Sequence, residues 1–182
     1  DLPHSPSLAR LLRQLEKIDR LQWIRVLYAH PATFSDAIID AIAAGKKIVP
    51  YIDIPLQHIN DRILSAMNRH IGRAAIEALL QKLRVRIPHL TIRTTMIVGF
   101  PGETETEFQE LLAFVRDFQF DALGAFAYSP EAKTKAAALK NQIPPAVKQQ
   151  RLEQLMLTQQ TIAFKKNERR KKSSTTCLLT GA

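Results

Sequence analysis

The chain reads as an α/β protein built on a mostly parallel sheet. Three observations predict this. Segments of helical period alternate with short strand-like runs along most of the 182 residues, the pattern of βαβ units with right-handed crossovers. Polar residues gather where strand-like runs stop. In residues 51–58, YIDIPLQH, Asp53 sits inside an apolar run and Gln57 and His58 follow Pro55. No repeat of fixed length recurs, which excludes a solenoid.

The elements follow in order. Ser5 or Ser7 caps a first helix running to about Arg20, with Leu8, Leu11, Leu12 and Leu15 on one face. Residues 23–28 form the first strand, stopped by Pro31 after Ala29 and His30. Ser35 or Asp36 opens a helix with Ile38, Ile39 and Ile42 inward and Gly45 at its end. Residues 48–54 are the second strand. Asn60 or Asp61 starts a short helix towards Asn68, and after Gly72 another sets Ile76, Leu79, Leu80 and Leu83 on one side. The third strand, residues 90–98, runs into Gly99, Phe100, Pro101, Gly102 and Glu103. Thr104 and Glu107 make a capping box for a helix with Phe108, Leu111, Leu112 and Val115 buried. The fourth strand covers residues 120–128. Pro144 and Pro145 open a long last helix with Leu152, Leu155, Met156 and Ile162 inward. The expected organisation is a body over 1–143, a basic helix packed on it over 144–172, and a disordered tail over 173–182. Four such strands with flanking helices fit a small doubly wound sheet or part of a barrel.

Apolar content of 46% and charged content of 24% suit a soluble domain with a real core. No apolar run has the length of a membrane span and no signal sequence opens the chain, so a cytoplasmic location is expected. The single cysteine, Cys177, forms no internal disulfide and no cysteine metal site by itself. The net charge is +9, and Lys165, Lys166, Arg169, Arg170, Lys171 and Lys172 crowd the end of the last helix. Such a run meets phosphate backbones or is a solvated helix end that suits the helix dipole. No aromatics interleave with it, as a single-strand surface requires.

In parallel α/β folds the working groups lie beyond the C-terminal ends of the strands. That rule selects Tyr28 and His30, then Gln57 and His58, then Gly99, Gly102 and Glu103, then Tyr128 and Ser129. The glycines let backbone approach a ligand, and the following helix N-terminus offers N–H groups to an anion. The loop is neither a Walker loop nor G-x-G-x-x-G, and a tight βα turn before a capped helix accounts for it equally well. Arg93, Thr95 and Ile97 share one face of the third strand. Arg93 pairs with Asp53, holds a ligand carboxylate, or lies on the surface. A lone strand-end histidine is often a hydrogen-bonded core residue; His58, beside Gln57, is the better functional candidate.

Three stretches carry a family resemblance: YIDIPLQHINDRILSAMNR (51–69), IRTTMIVGFPGETETEFQELL (92–112) and GAFAYSPE (124–131). They resemble the radical S-adenosylmethionine methylthiotransferases. IRVLYAHP (24–31) and IPLQH resemble the branch acting on a ribosomal protein more than the sister branch acting on tRNA. The resemblance implies a partial (β/α) barrel of the radical SAM type, with these strands as its later four. It implies S-adenosylmethionine and [4Fe–4S] clusters as cofactors, one cluster held by a C-x-x-x-C-x-x-C loop and one on a separate N-terminal domain. Cleavage of S-adenosylmethionine would yield a 5′-deoxyadenosyl radical, and sulfur and a methyl group would be installed on an aspartate β-carbon of a small-subunit ribosomal protein. Gln57, Arg93, Thr95, Gly99, Gly102 and Glu103 would hold S-adenosylmethionine. His30, Asp53, His58 and Tyr128 would line the substrate pocket. Apart from the resemblance, the charge of the last helix would serve an RNA contact, unless it is a solvated helix end.

The departures are as specific as the matches. No C-x-x-x-C-x-x-C occurs, so the chain holds no ligand set for either cluster and is expected to be inactive alone. Residues 129–137 read SPEAKTKAA where the family reads SPEEGTPAA, putting Lys133 for a glycine and Lys135 for a proline. The end, KKSSTTCLLTGA, does not resemble the family's RNA-binding-type β-barrel. A tRNA methylthiotransferase and a truncated remnant, binding S-adenosylmethionine weakly or docking a partner, are the alternatives.

Overall fold

The computed structural model describes residues 7–171 and residue 174. Strands β1 (Ile24–Val26), β2 (Ile48–Asp53), β3 (Thr91–Val98) and β4 (Ala122–Ala127) form one sheet in the order β1-β2-β3-β4. Every pairing is parallel. Each crossover therefore steps the same way, and right-handed connections put all crossover helices on one face. These are α2 (Asp36–Ala44), α3 (Asp61–Ala66), α4 (Arg73–Arg86) and α5 (Glu105–Phe118), joined by the final α6 (Pro145–Arg170). A doubly wound sheet reverses direction and covers both faces. This sheet is a barrel sector.

Strand β3 shows the two faces. Ile92, Thr94, Met96 and Val98 are buried, and they alternate with half-buried Thr91, Arg93, Thr95 and Ile97. On the covered side, Ile52, Ile92, Met96 and Leu123 join Ile39, Leu80, Phe108, Leu112 and Leu155 in one core. Pairing of Asp53 with Arg93, Arg93 with Ala122 and Thr95 with Gly124 puts those residues together on the bare face.

Helix α1 (Leu8–Leu15) and strands β1 and β4 are shorter than expected. Helix α1 stops well before Arg20, and Glu16 follows directly at its end. Its carboxylate accepts the N–H groups of Lys46, Lys47 and Ile48 at 3.2, 2.8 and 3.1 Å, tying α1 to the start of β2. Only Ala9 and Leu12 of α1 are buried. Strand β1 leaves the sheet early: its register with β2 shifts between Ile24 and Val26, and Tyr28 takes a left-handed φ of 58°. Asn60 caps α3 by accepting from Arg62 N and Ile63 N at 3.0 and 3.2 Å. The capping box forms, with Thr104 N donating to Glu107 at 2.8 Å and Glu107 N to Thr104 Oγ1 at 3.3 Å. The expected tail over 173–182, apart from residue 174, lies outside the described residues, as does Cys177. Among the described residues no helix is long and apolar enough to cross a membrane.

Candidate functional site

Beyond the end of β2 the chain stays attached to β3. Gln57 donates its N–H to Thr95 O at 2.9 Å and accepts from Ile97 N at 2.8 Å. It does so at a φ of 74°, a conformation that costs a residue with a Cβ about 1–2 kcal/mol. Such strain collects where a side chain must be aimed. Gln57 lines a cleft of about 620 Å³ with Asn68, Arg69, Ile97, Phe100 and Tyr128. Among the described residues, three buried atoms of this lining have no hydrogen-bond partner: Gln57 Oε1, Arg69 Nε and Tyr128 OH. Arg69 donates from Nη2 to Pro55 O at 2.6 Å, and burial pulls its pKa down. No carboxylate pairs with it among the described residues. An arginine held without a counter-ion beside a cleft is suited to a ligand carboxylate.

The Gly99–Glu103 loop forms the neighbouring wall, and its glycines have left-handed φ values of 70° and 81°. A Cβ on Gly99 would lie 2.5 Å from Lys148 Cγ, so α6 also forbids one. The Glu103 carboxylate folds back into its own loop. It accepts the N–H groups of Gly99 and Phe100 through Oε2 and Arg151 Nη1 through Oε1 at 3.1 Å. Arg151 also donates to Glu103 O at 3.0 Å. Burial pushes the pKa of Glu103 up, against the pull of Arg151 and the two N–H groups. The N–H groups of Gly99 and Phe100 are thus held by Glu103 and are not open to a ligand anion.

The other expected residues divide by position. Asp53 and Arg93 pair on the bare face at 2.8 Å, with Thr95 on the same face. Tyr128 meets Phe100 edge-on with ring centroids 5.3 Å apart, and its carbonyl accepts from Lys148 Nζ at 2.9 Å. His30 is exposed and caps the 3₁₀ turn Pro31–Thr33, its Nδ1 accepting from Ala32 N at 3.2 Å. His58 is wholly buried. Its Nδ1 accepts from Asn60 N at 3.0 Å, and burial lowers its pKa to about 4. The structure therefore brings Gln57 and Tyr128 to the cleft. Asp53, Arg93 and Thr95 lie on the adjoining sheet face, Gly99, Gly102 and Glu103 shape a wall, and His58 is an interior brace. Sequence reasoning missed Arg69; the only signal was a cation just after a short helix, between Asn68 and His70.

The chain has one cysteine, and the described residues contain no group of three histidine, cysteine, aspartate or glutamate side chains able to hold a metal. These residues do not fit an iron–sulfur cluster. S-adenosylmethionine, with a carboxylate, an amine, ribose hydroxyls and an apolar ring, does fit the unpaired polar atoms and the Ile97 and Phe100 wall of the cleft.

The family model of the Radical SAM superfamily matches residues 2–115, and the chain belongs to that superfamily. Within it, the chain is similar to curated proteins called ribosomal protein uS12 methylthiotransferase RimO. It is 51% identical over 161 residues to that of Syntrophotalea carbinolica, covering 88% of this chain and 35% of the relative. It is 47% identical over 169 residues to that of Geobacter sulfurreducens, covering 93% and 38%. The chain spans a little over a third of the length of these relatives. Coproporphyrinogen III oxidase HemN from Escherichia coli superposes with a TM-score of 0.59 at 23% identity, over 87% of this chain and 36% of that one. The radical S-adenosylmethionine methyltransferase TsrM from Kitasatospora setae superposes at 0.54 and 19% identity, over 65% and 24%. At these identities the likeness is one of fold, and it agrees with a sector of the radical SAM barrel.

Proposed function

We propose that this chain forms the later part of the radical SAM barrel of a methylthiotransferase that modifies an aspartate β-carbon of ribosomal protein uS12. The observation that carries this reading is the identity of about half to proteins of that name across some nine-tenths of the chain. In the complete enzyme S-adenosylmethionine and [4Fe–4S] clusters supply the radical and methyl chemistry. The cluster ligands come from outside this chain, which alone is inactive. Its own residues bind and orient. Arg69 meets the carboxylate of S-adenosylmethionine, while Gln57 Oε1 accepts from its amine or a ribose hydroxyl. Tyr128 OH offers a further hydrogen bond, and Phe100 and Ile97 exclude water from its apolar ring. Asp53, Arg93 and Thr95 on the bare face lie toward the substrate. The cationic end of α6 meets RNA around the ribosomal substrate.

The test uses the full-length protein containing this segment, reconstituted anaerobically and offered uS12 and tRNA separately. A methylthio mass gain on the uS12 aspartate is expected. Modification of tRNA alone overturns the substrate assignment. Reconstitution of the 182-residue chain by itself should give no iron–sulfur chromophore.

A further inference from the structure

The far end of α6 bears a feature that the cleft does not use. Arg116, in the last turn of α5, faces Lys165 and Arg169 of α6 across a groove of about 380 Å³, which Gln119 and Ile162 also line. Lys165 and Arg169 are one turn apart, about 6 Å along the helix. Among the described residues no carboxylate pairs with Arg116, Lys165 or Arg169, whereas their neighbours are engaged. Lys166 is 2.8 Å from Asp121, Arg170 3.3 Å from Asp121, and Lys171 2.5 Å from Glu168. Three uncompensated cations on two helices repel one another, and an anion between them relieves that repulsion.

The chemistry of the lining narrows the anion. Thr158 and Thr161 spend their hydroxyl protons on the carbonyls of Gln154 and Leu157 at 2.8 and 3.0 Å. The free donors are the three cations and the Gln119 amide. No aromatic lines the groove, so nothing stacks on a base, as single-strand recognition requires. A row of cations without base-reading groups suits a continuous phosphate backbone, read without regard to sequence. We propose that this groove binds the phosphodiester backbone of double-helical RNA. The choice of RNA over other polyanions rests on the ribosomal substrate proposed above. Lys148 stands at the cleft loop, so the groove lies about 25 Å away along α6.

The test is fluorescence anisotropy of this chain with a labelled RNA duplex of about two turns, titrated between about 50 and about 200 mM salt. R116Q/K165Q/R169Q is expected to weaken binding at least about tenfold and to reduce the logarithmic salt slope by roughly 2.7, about 0.9 per cation. R10Q/R13Q/K17Q removes the same charge from exposed positions, unpaired among the described residues, at the other edge of the sheet and should stay within about twofold of the parent. Equal losses in both variants would reduce the effect to net charge and overturn the groove. Stronger binding to polyglutamate or to anionic phosphatidylserine vesicles would transfer it to an acidic protein or a membrane. Circular dichroism monitors folding; if the triple variant unfolds, R116Q alone should still lower the slope by about 0.9, and an unchanged slope overturns the proposal. The assay needs neither cluster nor cofactor. Its failure leaves methylthiolation of free uS12 untouched, and loss of that activity leaves RNA binding untouched.

Discussion

Replacing Arg151 with methionine leaves the Glu103 carboxylate buried beneath α6 without its counter-ion. The two side chains are 7% and 0% exposed and 3.1 Å apart. Removing one member of such a pair costs about 3–5 kcal/mol. The variant has one escape, to protonate Glu103. From an ordinary carboxyl pKa of about 4.3 this costs about 3.7 kcal/mol at pH 7 and about 1 kcal/mol at pH 5. Burial already raises this pKa, so part of that penalty exists in the parent, and about 3 kcal/mol is expected at pH 7. The sign follows from linkage: a carboxyl with a raised folded-state pKa favours folding below that pKa, and the benefit is lost as pH rises through it. The deficit must therefore shrink to about 1 kcal/mol near pH 5. Glu105, the other partner of Arg151, is 66% exposed and adds little. Urea unfolding followed by circular dichroism at both pH values measures this. Adding Glu103→Gln to Arg151→Met should recover most of the loss. A loss below about 1 kcal/mol at pH 7, or one independent of pH, would refute a buried charge pair holding this loop.

His58 has a folded-state pKa of about 4 against an ordinary 6.5. Its contribution is complete above pH 6.5 and falls by about 3 kcal/mol as pH drops through that window. His58→Gln should flatten that part of the acid-unfolding profile, and an unchanged profile would show that the group is not the one titrating. Gly99→Ala meets a left-handed φ and a 2.5 Å approach to Lys148; a loss of about 2 kcal/mol is expected in thermal unfolding, with Lys148→Ala relieving only the contact. Lys133 has a φ of 69°, so Lys133→Gly should raise stability by up to about 1 kcal/mol, and a loss would mean that the lysine side chain is needed. In the reconstituted full-length protein, Arg69→Met should weaken S-adenosylmethionine binding by about 10–100-fold in calorimetry. An unchanged Kd would remove Arg69 from the cofactor site.

The sheet and its helices were legible because each crossover helix shows an apolar stripe and each strand ends at a proline, a glycine or a polar residue. Periodicity alone left a doubly wound sheet and part of a barrel both open, since winding direction depends on strand order and not on any local pattern; the family resemblance implied the barrel, and the all-parallel order β1-β2-β3-β4 bears it out. Glu103 shows the same limit within the site. A glutamate after two glycines reads as a ligand-loop residue, yet only the fold reveals that Arg151, 48 positions away, draws its carboxylate inward. The Asp53–Arg93 pair was anticipated among three options because alternation fixes a face, though not a neighbour. Arg69 carried no periodic signal, and its significance comes from having no carboxylate counter-ion among the described residues. Lys133 has the left-handed backbone that a glycine would adopt freely, so a departure visible in the letters becomes a measurable strain.

Helix α6 touches both ends of the molecule. Its first turns hold Tyr128 through Lys148 and the glycine loop through Arg151, and its last turns anchor on Asp121 through Lys166. An unbroken helix of 26 residues is about 39 Å of stiff rod. A pull on the Arg169 end cannot dissipate in a hinge along the way; it arrives at the loop that walls the cleft. The docking of a large partner far from the cleft and the tightness of the cleft wall are thereby placed on one mechanical axis.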